Sequence, residues 1–86
     1  MEKIAFITGA NRGIGFETSK KLGEMGIKVI LGSRDVNKGK KAVEELSSLG
    51  IEAESIQYDA FDLKAPKKIF NYINDKYKKL DILINN

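Results

Sequence analysis

The stretch Thr8-Gly9-Ala10-Asn11-Arg12-Gly13-Ile14-Gly15 decides the fold of this 86-residue chain. It follows the apolar run Ile4-Ala5-Phe6-Ile7 and begins a segment with helical periodicity, so it predicts a buried strand, a glycine turn and a helix N-terminus. The first turn of a helix presents unpaired backbone N–H groups and the positive end of the helix dipole. An anion can dock there because glycine lets the backbone approach it closely. The stretch therefore predicts a phosphate-binding loop.

The remainder of the chain alternates strand and helix patterns, and no linker or low-complexity segment interrupts them. In chain order we predict a strand over Lys3 to Thr8, a helix over Arg12 to Met25, a strand over Lys28 to Leu31, a helix between Asp35 and Gly50, a strand over Ala53 to Tyr58, a helix whose first turn holds Pro66, and a strand over Leu80 to Ile84. This β-α-β-α-β-α-β order predicts an α/β domain with a parallel sheet and helices on its faces, connected right-handedly. Residues 1–86 would form one incomplete domain, a mononucleotide-binding half plus one strand.

Apolar residues at helical spacing predict which side of each helix is buried. The predicted faces are Ile14, Thr18, Leu22 and Met25 in the first helix, Val36, Gly39, Val43, Leu46 and Leu49 in the second, and Ile69, Phe70, Ile73 and Tyr77 in the third. Asp35 is a candidate N-cap for the second helix, and Gly26 is suited to end the first.

Composition removes several functional classes. The chain has no cysteine and no histidine, which excludes disulfides, thiolate chemistry and imidazole catalysis. No run approaches the roughly 20 apolar residues of a membrane span. The net charge is +3, and its lysines fall on the polar faces of helical patterns, which indicates solvated surface rather than a nucleic-acid interface. Met1-Glu2-Lys3 leads directly into a strand pattern without a signal peptide, so we expect a cytoplasmic protein.

The glycine spacing of the loop is G-x-x-x-G-x-G, which differs from the G-x-G-x-x-G of typical dinucleotide domains. Gly9 would make the sharp turn out of the strand, Gly13 would let the backbone approach a pyrophosphate, and Gly15 would let the helix pack close to the sheet. The alternative is a structural turn between strand and helix that binds nothing.

These residues resemble the cofactor loop of the short-chain dehydrogenases/reductases, in the standard branch of that family. Asp59, after the third strand, resembles the acidic residue that accepts the adenine amino group. Asp81-Ile-Leu-Ile-Asn-Asn86 resembles the fourth strand and the start of the family's Asn-Asn-Ala-Gly motif. Asn85 matches the asparagine that stabilises the sheet centre near the cofactor, and Thr8 would either bond backbone at the strand end or help to hold the Asn85 region. The stretch from Gly32 to Leu46 is most similar to carbonyl-reductase-type members.

The resemblance implies a Rossmann-like fold with sheet order 3-2-1-4 and a bound dinucleotide. It implies that the pyrophosphate and the adenosine phosphate are held by Gly9, Asn11, Arg12, Gly13, Ile14 and Gly15. NAD-binding members usually place an acid at the end of the second strand, on the ribose 2′-hydroxyl. Here Gly32-Ser33-Arg34 occupies that place and Asp35 comes one residue late. Because Arg34, and Arg12 in the loop, could pair with a 2′-phosphate, we predict NADP(H) in preference to NAD(H).

The family reaction is hydride transfer between nicotinamide and a carbonyl or alcohol carbon. The resemblance implies a catalytic tyrosine, lysine and serine after a fifth strand, and no residue here matches them. Tyr72 and Lys76 have the family's Tyr-x-x-x-Lys spacing, but on the helix before the fourth strand, which is the wrong element. We therefore expect the N-terminal cofactor-binding portion of an oxidoreductase, truncated and inactive alone. The alternative is a catalytically silent nucleotide-binding or self-associating fragment.

In the predicted sheet order 3-2-1-4, the fourth strand lies at an edge of the sheet. An apolar, uncovered edge strand at Asp81 to Ile84 invites pairing with another chain. We therefore expect a homo-oligomer, most simply a two-fold dimer that buries this region.

Overall fold

Seven elements alternate along the chain, as the sequence pattern predicts. The computed structural model of the protein describes residues 2–10, 13–59 and 61–85. The elements are β1 (Ile4–Thr8), α1 (Gly13–Glu24), β2 (Lys28–Ser33), α2 (Val36–Ser48), β3 (Ala53–Gln57), α3 (Ala65–Tyr77) and β4 (Ile82–Ile84). Each predicted element is present, and where its ends were predicted they agree with the structure to within two residues.

The four strands form one parallel sheet in the order β3-β2-β1-β4. This arrangement confirms the predicted Rossmann-like order 3-2-1-4. The register places Thr8 opposite Gly32, Ser33 opposite Gln57, and Ile7 opposite Ile84. The carboxyl ends of all four strands therefore lie at the same edge of the sheet.

Two apolar cores cover the two faces of this sheet, because successive strand residues point to opposite sides. Ala5 and Ile7 of β1 pack with the core on the α1 and α2 side. Ile4 and Phe6 pack with Ile69 and other buried residues of the core on the α3 side. The central strand β1 is buried over its whole length, as its continuous apolar run predicts for a parallel sheet.

The buried face of α1 differs from the prediction. Gly15 and Ser19 face the sheet, while Ile14 and Met25 are 77% and 74% exposed. The physical reason is close packing: small residues bring the helix near the strands. The buried Ser19 hydroxyl has a hydrogen-bond partner within the helix, because it donates to the Gly15 carbonyl at 2.9 Å. Of the four predicted residues only Leu22 packs against the buried core.

In α2 and α3 the structure buries the residues at the centre of each predicted face and leaves some of the other predicted residues exposed. In α2, Gly39, Ala42 and Leu46 are buried, whereas Val36 and Leu49 at the helix ends are exposed. Gly39 allows this close approach because a Cβ there would lie 3.1 Å from the Ser55 Cβ and 3.2 Å from the Ser33 Cβ.

In α3, Ile69 and Ile73 are buried and Tyr77 packs beside them, but Phe70 is exposed. Phe70 follows Ile69 directly, and one residue turns a helix by about 100°, which carries this side chain off the sheet. Pro66 lies in the first turn, as predicted. Within the described ranges, no helix is long and apolar enough to cross a membrane.

Candidate cofactor-binding site

The residues predicted to form a site converge at the carboxyl edge of the sheet. Gly9 follows β1, Arg34 follows β2, Asp59 follows β3 by two residues, and Asn85 follows β4. In open α/β sheets, ligands bind in the crevice outside the carboxyl ends of the strands. The fold thus brings four separate sequence positions to the place where such a ligand would lie.

The loop between β1 and α1 has the backbone that its glycines predict. Gly9 and Gly13 have φ angles of 60° and 64°, a left-handed conformation that side chains disfavour. A Cβ at Gly13 would meet no heavy atom of the described residues within 4 Å apart from its chain neighbours, so the space beside Gly13 is open. Asn11 and Arg12 lie outside the described residues. Their predicted contacts with the dinucleotide stay predictions.

The N-terminus of α1 is electrostatically prepared for an anion. The helix begins at Gly13 and carries no acidic residue in its first turn, so no carboxylate opposes a negative ligand there. Ile14 is exposed at this end, and Gly15 is buried against the sheet as predicted. Backbone N–H groups of a first turn are natural phosphate donors.

One hydrogen bond ties this loop to the neighbouring strand. The Ala10 amide donates to the Gly32 carbonyl at 3.2 Å. Gly32 itself has a role that the sequence reading did not assign. The rings of Phe6 and Tyr58 meet edge to face with their centroids 5.6 Å apart. A Cβ at Gly32 would lie 2.9 Å from the Phe6 ring and 3.3 Å from the Tyr58 Cβ, so the absence of a side chain there makes room for this aromatic contact. A glycine inside a strand pattern is the signal that could have indicated such a close approach.

The turn after β2 fixes Arg34 and Asp35 in different roles. The Asp35 carboxylate accepts from the Lys38 amide at 3.0 Å and caps α2, as predicted. The buried Ser33 hydroxyl donates to the Asp35 carbonyl at 2.9 Å, and the Gln57 side-chain amide donates to the Arg34 carbonyl at 3.4 Å. The turn is therefore held from both sides while the Arg34 side chain is exposed.

Asp59 and Asn85 lie at the ends of the outer strands. One Asp59 carboxylate oxygen accepts from the Phe61 amide at 2.9 Å and so shapes the turn that the sequence predicts. The Thr8 hydroxyl donates to the Ile84 carbonyl at 3.5 Å, which supports the predicted link between Thr8 and the Asn85 region. Asn85 is exposed, and Asn86 lies outside the described residues.

Tyr72 and Lys76, which share the spacing of a catalytic pair, are engaged elsewhere. Both contact Glu54 of β3: the Lys76 ammonium donates at 2.8 Å and the Tyr72 hydroxyl at 3.3 Å. Tyr77 donates to the same carboxylate at 2.9 Å. Glu54 lies at the amino-terminal end of β3, away from the candidate site. We name these four residues the Glu54 cluster.

Charge and burial set the protonation of the Glu54 cluster. Partial burial would raise the pKa of the Glu54 carboxyl, but hydrogen bonds from Lys76 and Tyr77 outweigh it and hold that pKa below its ordinary value. Burial, and then the hydrogen bond to Glu54, raise the pKa of Tyr77 to about 12. Hydrogen bonds to Glu54 and Tyr72 raise the pKa of Lys76 above its ordinary value. The hydrogen bonds therefore favour an ionised Glu54 carboxylate together with a protonated Lys76 ammonium and a protonated Tyr77 hydroxyl.

The groups at the carboxyl edge fit an anionic dinucleotide. The backbone N–H groups at the α1 N-terminus can receive a pyrophosphate, and the exposed guanidinium beside β2 can receive a further phosphate. Asp59 can accept a hydrogen bond from a base. Among residues 2–10, 13–59 and 61–85, no group of acidic, histidine or cysteine side chains is arranged to hold a metal ion.

Comparison with known proteins shows that this chain is similar to short-chain dehydrogenases. The short chain dehydrogenase profile matches residues 3–86. Short-chain dehydrogenase/reductase 1 of Saponaria officinalis is 40% identical over 99% of this chain and 29% of its own length. Carbonyl reductase (NADPH) 1 of Sus scrofa is 35% identical over 98% of this chain and 29% of its own length. The present chain thus spans less than a third of these relatives.

A solved relative has the same fold. The crystal structure of a metagenomic short-chain oxidoreductase in complex with NADP superposes with a TM-score of 0.89 at 34% identity, over 94% of this chain and 37% of that one. The profile match covers residues 3–86, and the structural match covers 94% of the chain. The chain therefore belongs to the short-chain dehydrogenase family.

Proposed function

We propose that this chain binds NADP(H) in preference to NAD(H), as the N-terminal cofactor-binding portion of a short-chain oxidoreductase. The pyrophosphate would lie against the α1 N-terminus and the glycine loop, in contact with Gly9, Gly13, Ile14 and Gly15, together with Asn11 and Arg12. Arg34 would pair with the 2′-phosphate. Asp59 would accept from adenine, and Asn85 would lie near the cofactor.

The single observation that carries the cofactor preference is the cap at Asp35. An acid that selects NAD must offer its carboxylate to the ribose 2′-hydroxyl. Here the Asp35 carboxylate holds the Lys38 amide at 3.0 Å, which places it at the start of α2 instead. The residue that follows β2 directly is Arg34, whose exposed planar guanidinium matches a phosphate. The names of the similar carbonyl reductase and of the solved NADP complex agree with this proposal.

Calorimetric titration of the chain with NADPH and with NADH tests the proposal. We expect NADPH to bind more tightly than NADH. Arg34→Glu should weaken NADPH binding about 10- to 100-fold, the effect of losing a hydrogen bond between charged groups, and should strengthen NADH binding, because it places a carboxylate where it can accept from the ribose 2′-hydroxyl. Lys41→Glu makes the same charge change at an exposed position of α2 and serves as the matched control. Equal losses in the two variants would contradict the assignment of Arg34.

The reaction of the whole protein is part of the same proposal. A parent with the family's catalytic residues would transfer hydride between the nicotinamide and a carbonyl or secondary alcohol. We infer that the 86 residues bind cofactor without turnover, because the Tyr72 hydroxyl and the Lys76 ammonium are engaged by Glu54. NADPH oxidation by this chain alone, with carbonyl substrates supplied, would contradict that inference.

A second candidate role is self-association through the fourth strand, Asp81 to Ile84. It is favoured by the position of β4 at the edge of the sheet and by Leu83, which is 48% exposed. The cytoplasmic location expected from the sequence stays a prediction.

A further inference from the structure

The loop between β3 and α3 carries an aromatic ring that the described part of the chain leaves uncovered. Phe61 is 83% exposed, although the burial of a phenylalanine side chain is strongly favourable. Among the described residues, the ring pair is Phe6 with Tyr58, so Phe61 takes no part in an aromatic contact there. Ligand sites are lined mainly by hydrophobic and aromatic side chains around a few polar groups. Phe61 lies two residues from Asp59, which is such a polar group, and this makes its ring a candidate ligand contact.

The backbone that carries this ring is fixed by Asp59. One Asp59 carboxylate oxygen accepts from the Phe61 amide at 2.9 Å, and the Asp59 carbonyl accepts from the Asp62 amide at 3.0 Å. Because an N–Cα bond is about 1.46 Å long, the Cα of Phe61 lies within about 4.4 Å of that carboxylate oxygen. The carboxylate and the ring are therefore attached side by side, and the side-chain torsions of Phe61 set where the ring lies.

The hydrogen bonds that hold this loop are local. The Asp62 carboxylate accepts from the Lys64 amide at 2.9 Å, and the Asp62 carbonyl accepts from the Ala65 amide at 3.0 Å, so the loop leads directly into α3. The loop follows β3, which lies at the opposite edge of the sheet from β4. A further strand beside β4 would therefore leave the position of Phe61 relative to Asp59 unchanged.

The loop borders the place proposed for the adenosine. Strands β2 and β3 are neighbours with Ser33 opposite Gln57, and the Gln57 side-chain amide donates to the Arg34 carbonyl at 3.4 Å. Arg34 is the group proposed for the 2′-phosphate, and Asp59 is the group proposed for adenine. An adenosine phosphate that spans these two groups brings its base to the carboxylate that also holds the Phe61 amide.

A hydrogen bond from the adenine amino group to Asp59 lies in the plane of the base. It fixes one edge of the adenine and covers neither of its faces. An aromatic side chain covers such a face well, because offset stacking brings two flat rings into contact over a large area. We propose that the Phe61 ring stacks on the adenine of the bound dinucleotide. This contact rests on the cofactor binding proposed above and assigns a second residue to its adenine end.

Fluorescence tests the contact directly, because the chain has no tryptophan of its own. Phe61→Trp places a single indole in the loop. Adenosine 2′,5′-bisphosphate is the probe, since it carries the adenine and the 2′-phosphate without a nicotinamide that would absorb the indole emission. We expect the probe to quench Phe61→Trp saturably. Leu63→Trp is the matched control, because Leu63 is 96% exposed in the same loop but lies two residues farther from Asp59, and we expect far less quenching there.

Calorimetric titration with NADPH gives the second readout. Phe61→Ala should weaken NADPH binding about fivefold or more, the fold-change expected from the loss of one contact between a base and an aromatic ring. Phe61→Tyr keeps a ring and should keep the wild-type affinity, and Leu63→Ala should leave the affinity unchanged. Because the Phe61 side chain is exposed, Phe61→Ala should also keep the wild-type Tm, which thermal denaturation checks.

Two results would overturn the stacking contact while the cofactor proposal stands. In the first, the wild-type chain binds NADPH and Phe61→Ala binds it equally tightly. In the second, the probe binds both tryptophan variants and quenches Phe61→Trp no more than Leu63→Trp. Absence of NADPH binding by the wild-type chain would overturn the cofactor proposal, and the stacking contact with it, so the two failures are distinguishable.

Discussion

The Glu54 cluster should stabilise the packing of α3 on the sheet, and the substitution Glu54→Gln tests this contribution to stability. The Glu54 carboxylate receives three side-chain donors from one helix, Tyr72, Lys76 and Tyr77. Lys76 also lies over both tyrosine rings, 5.7 Å and 5.5 Å from their centroids. Glutamine has nearly the same shape but no charge, so it keeps an acceptor oxygen and loses the charge that the three donors share.

The expected magnitude follows from the burial of each contact. The Tyr77 hydrogen bond is partly buried, and hydrogen bonds to charged groups contribute about 1.5–3 kcal/mol when shielded. The Lys76 pair is largely solvated and adds little, and solvent around Glu54 reduces the whole effect. We expect Glu54→Gln to lower the free energy of unfolding by about 1–2 kcal/mol. For a domain of this length that is roughly 5–15 °C in Tm.

Thermal and urea denaturation at a fixed protein concentration would measure the loss. Glu52→Gln is the matched control, because Glu52 lies two residues away and pairs with Lys28 at 3.2 Å through a side chain that is 67% exposed. We expect it to change the free energy of unfolding by less than about 0.5 kcal/mol. Equal effects of the two glutamine variants would refute the argument, since it depends on shared donors and partial burial rather than on charge alone.

Acid provides an independent check on the same residue. The folded-state pKa of Glu54 lies below its ordinary value of 4.5, so the folded chain binds fewer protons than the unfolded chain in that range. Stability from Glu54 is therefore fully present above 4.5 and declines as the pH falls through the folded-state pKa. The difference between wild type and Glu54→Gln should shrink in acid. A difference that persists there would mean that shape, and not charge, accounts for it.

Two further substitutions test single contacts. Asp35→Ala should lower the free energy of unfolding by about 1 kcal/mol, because it removes the N-cap of α2. Asp35→Asn keeps a capping oxygen and should lower it less. Equal losses of stability in thermal denaturation would contradict the capping role of Asp35. Asp81→Asn should reduce the hydrogen-exchange protection of the Ile4 amide, because that amide donates to the Asp81 carboxylate at 2.8 Å. The pKa of Asp81 is lowered by that amide first and then by Lys79, so wild-type protection should also fall as acid protonates Asp81; unchanged protection in both cases would contradict the contact.

The hydrophobic pattern predicted the order of elements because period and length separate buried strands from amphipathic helices. It failed on part of α1 because the fully buried residues of that helix are Gly15 and Ser19, which a pattern of large apolar residues cannot detect. Small residues there let the helix backbone lie close to the sheet without large apolar side chains between them. Gly39 has the same effect in α2. Ile14 and Met25, which the apolar pattern assigned to the buried face, are exposed instead.

The position of an acid near β2 shows how a one-residue shift changes what a carboxylate contacts without changing the fold. Three hydrogen bonds hold this turn: the Tyr58 amide donates to the Ser33 carbonyl, Gln57 to the Arg34 carbonyl, and the Ser33 hydroxyl to the Asp35 carbonyl. With the turn fixed in this way, the residue after the strand is exposed to a ligand and the next one is committed to capping α2. Arg34 and Asp35 fill these places in that order, so the guanidinium is available to a phosphate and the carboxylate is held by the helix. The same two residues in reverse order would offer a carboxylate to a ribose hydroxyl, and cofactor preference would follow from the turn rather than from net charge.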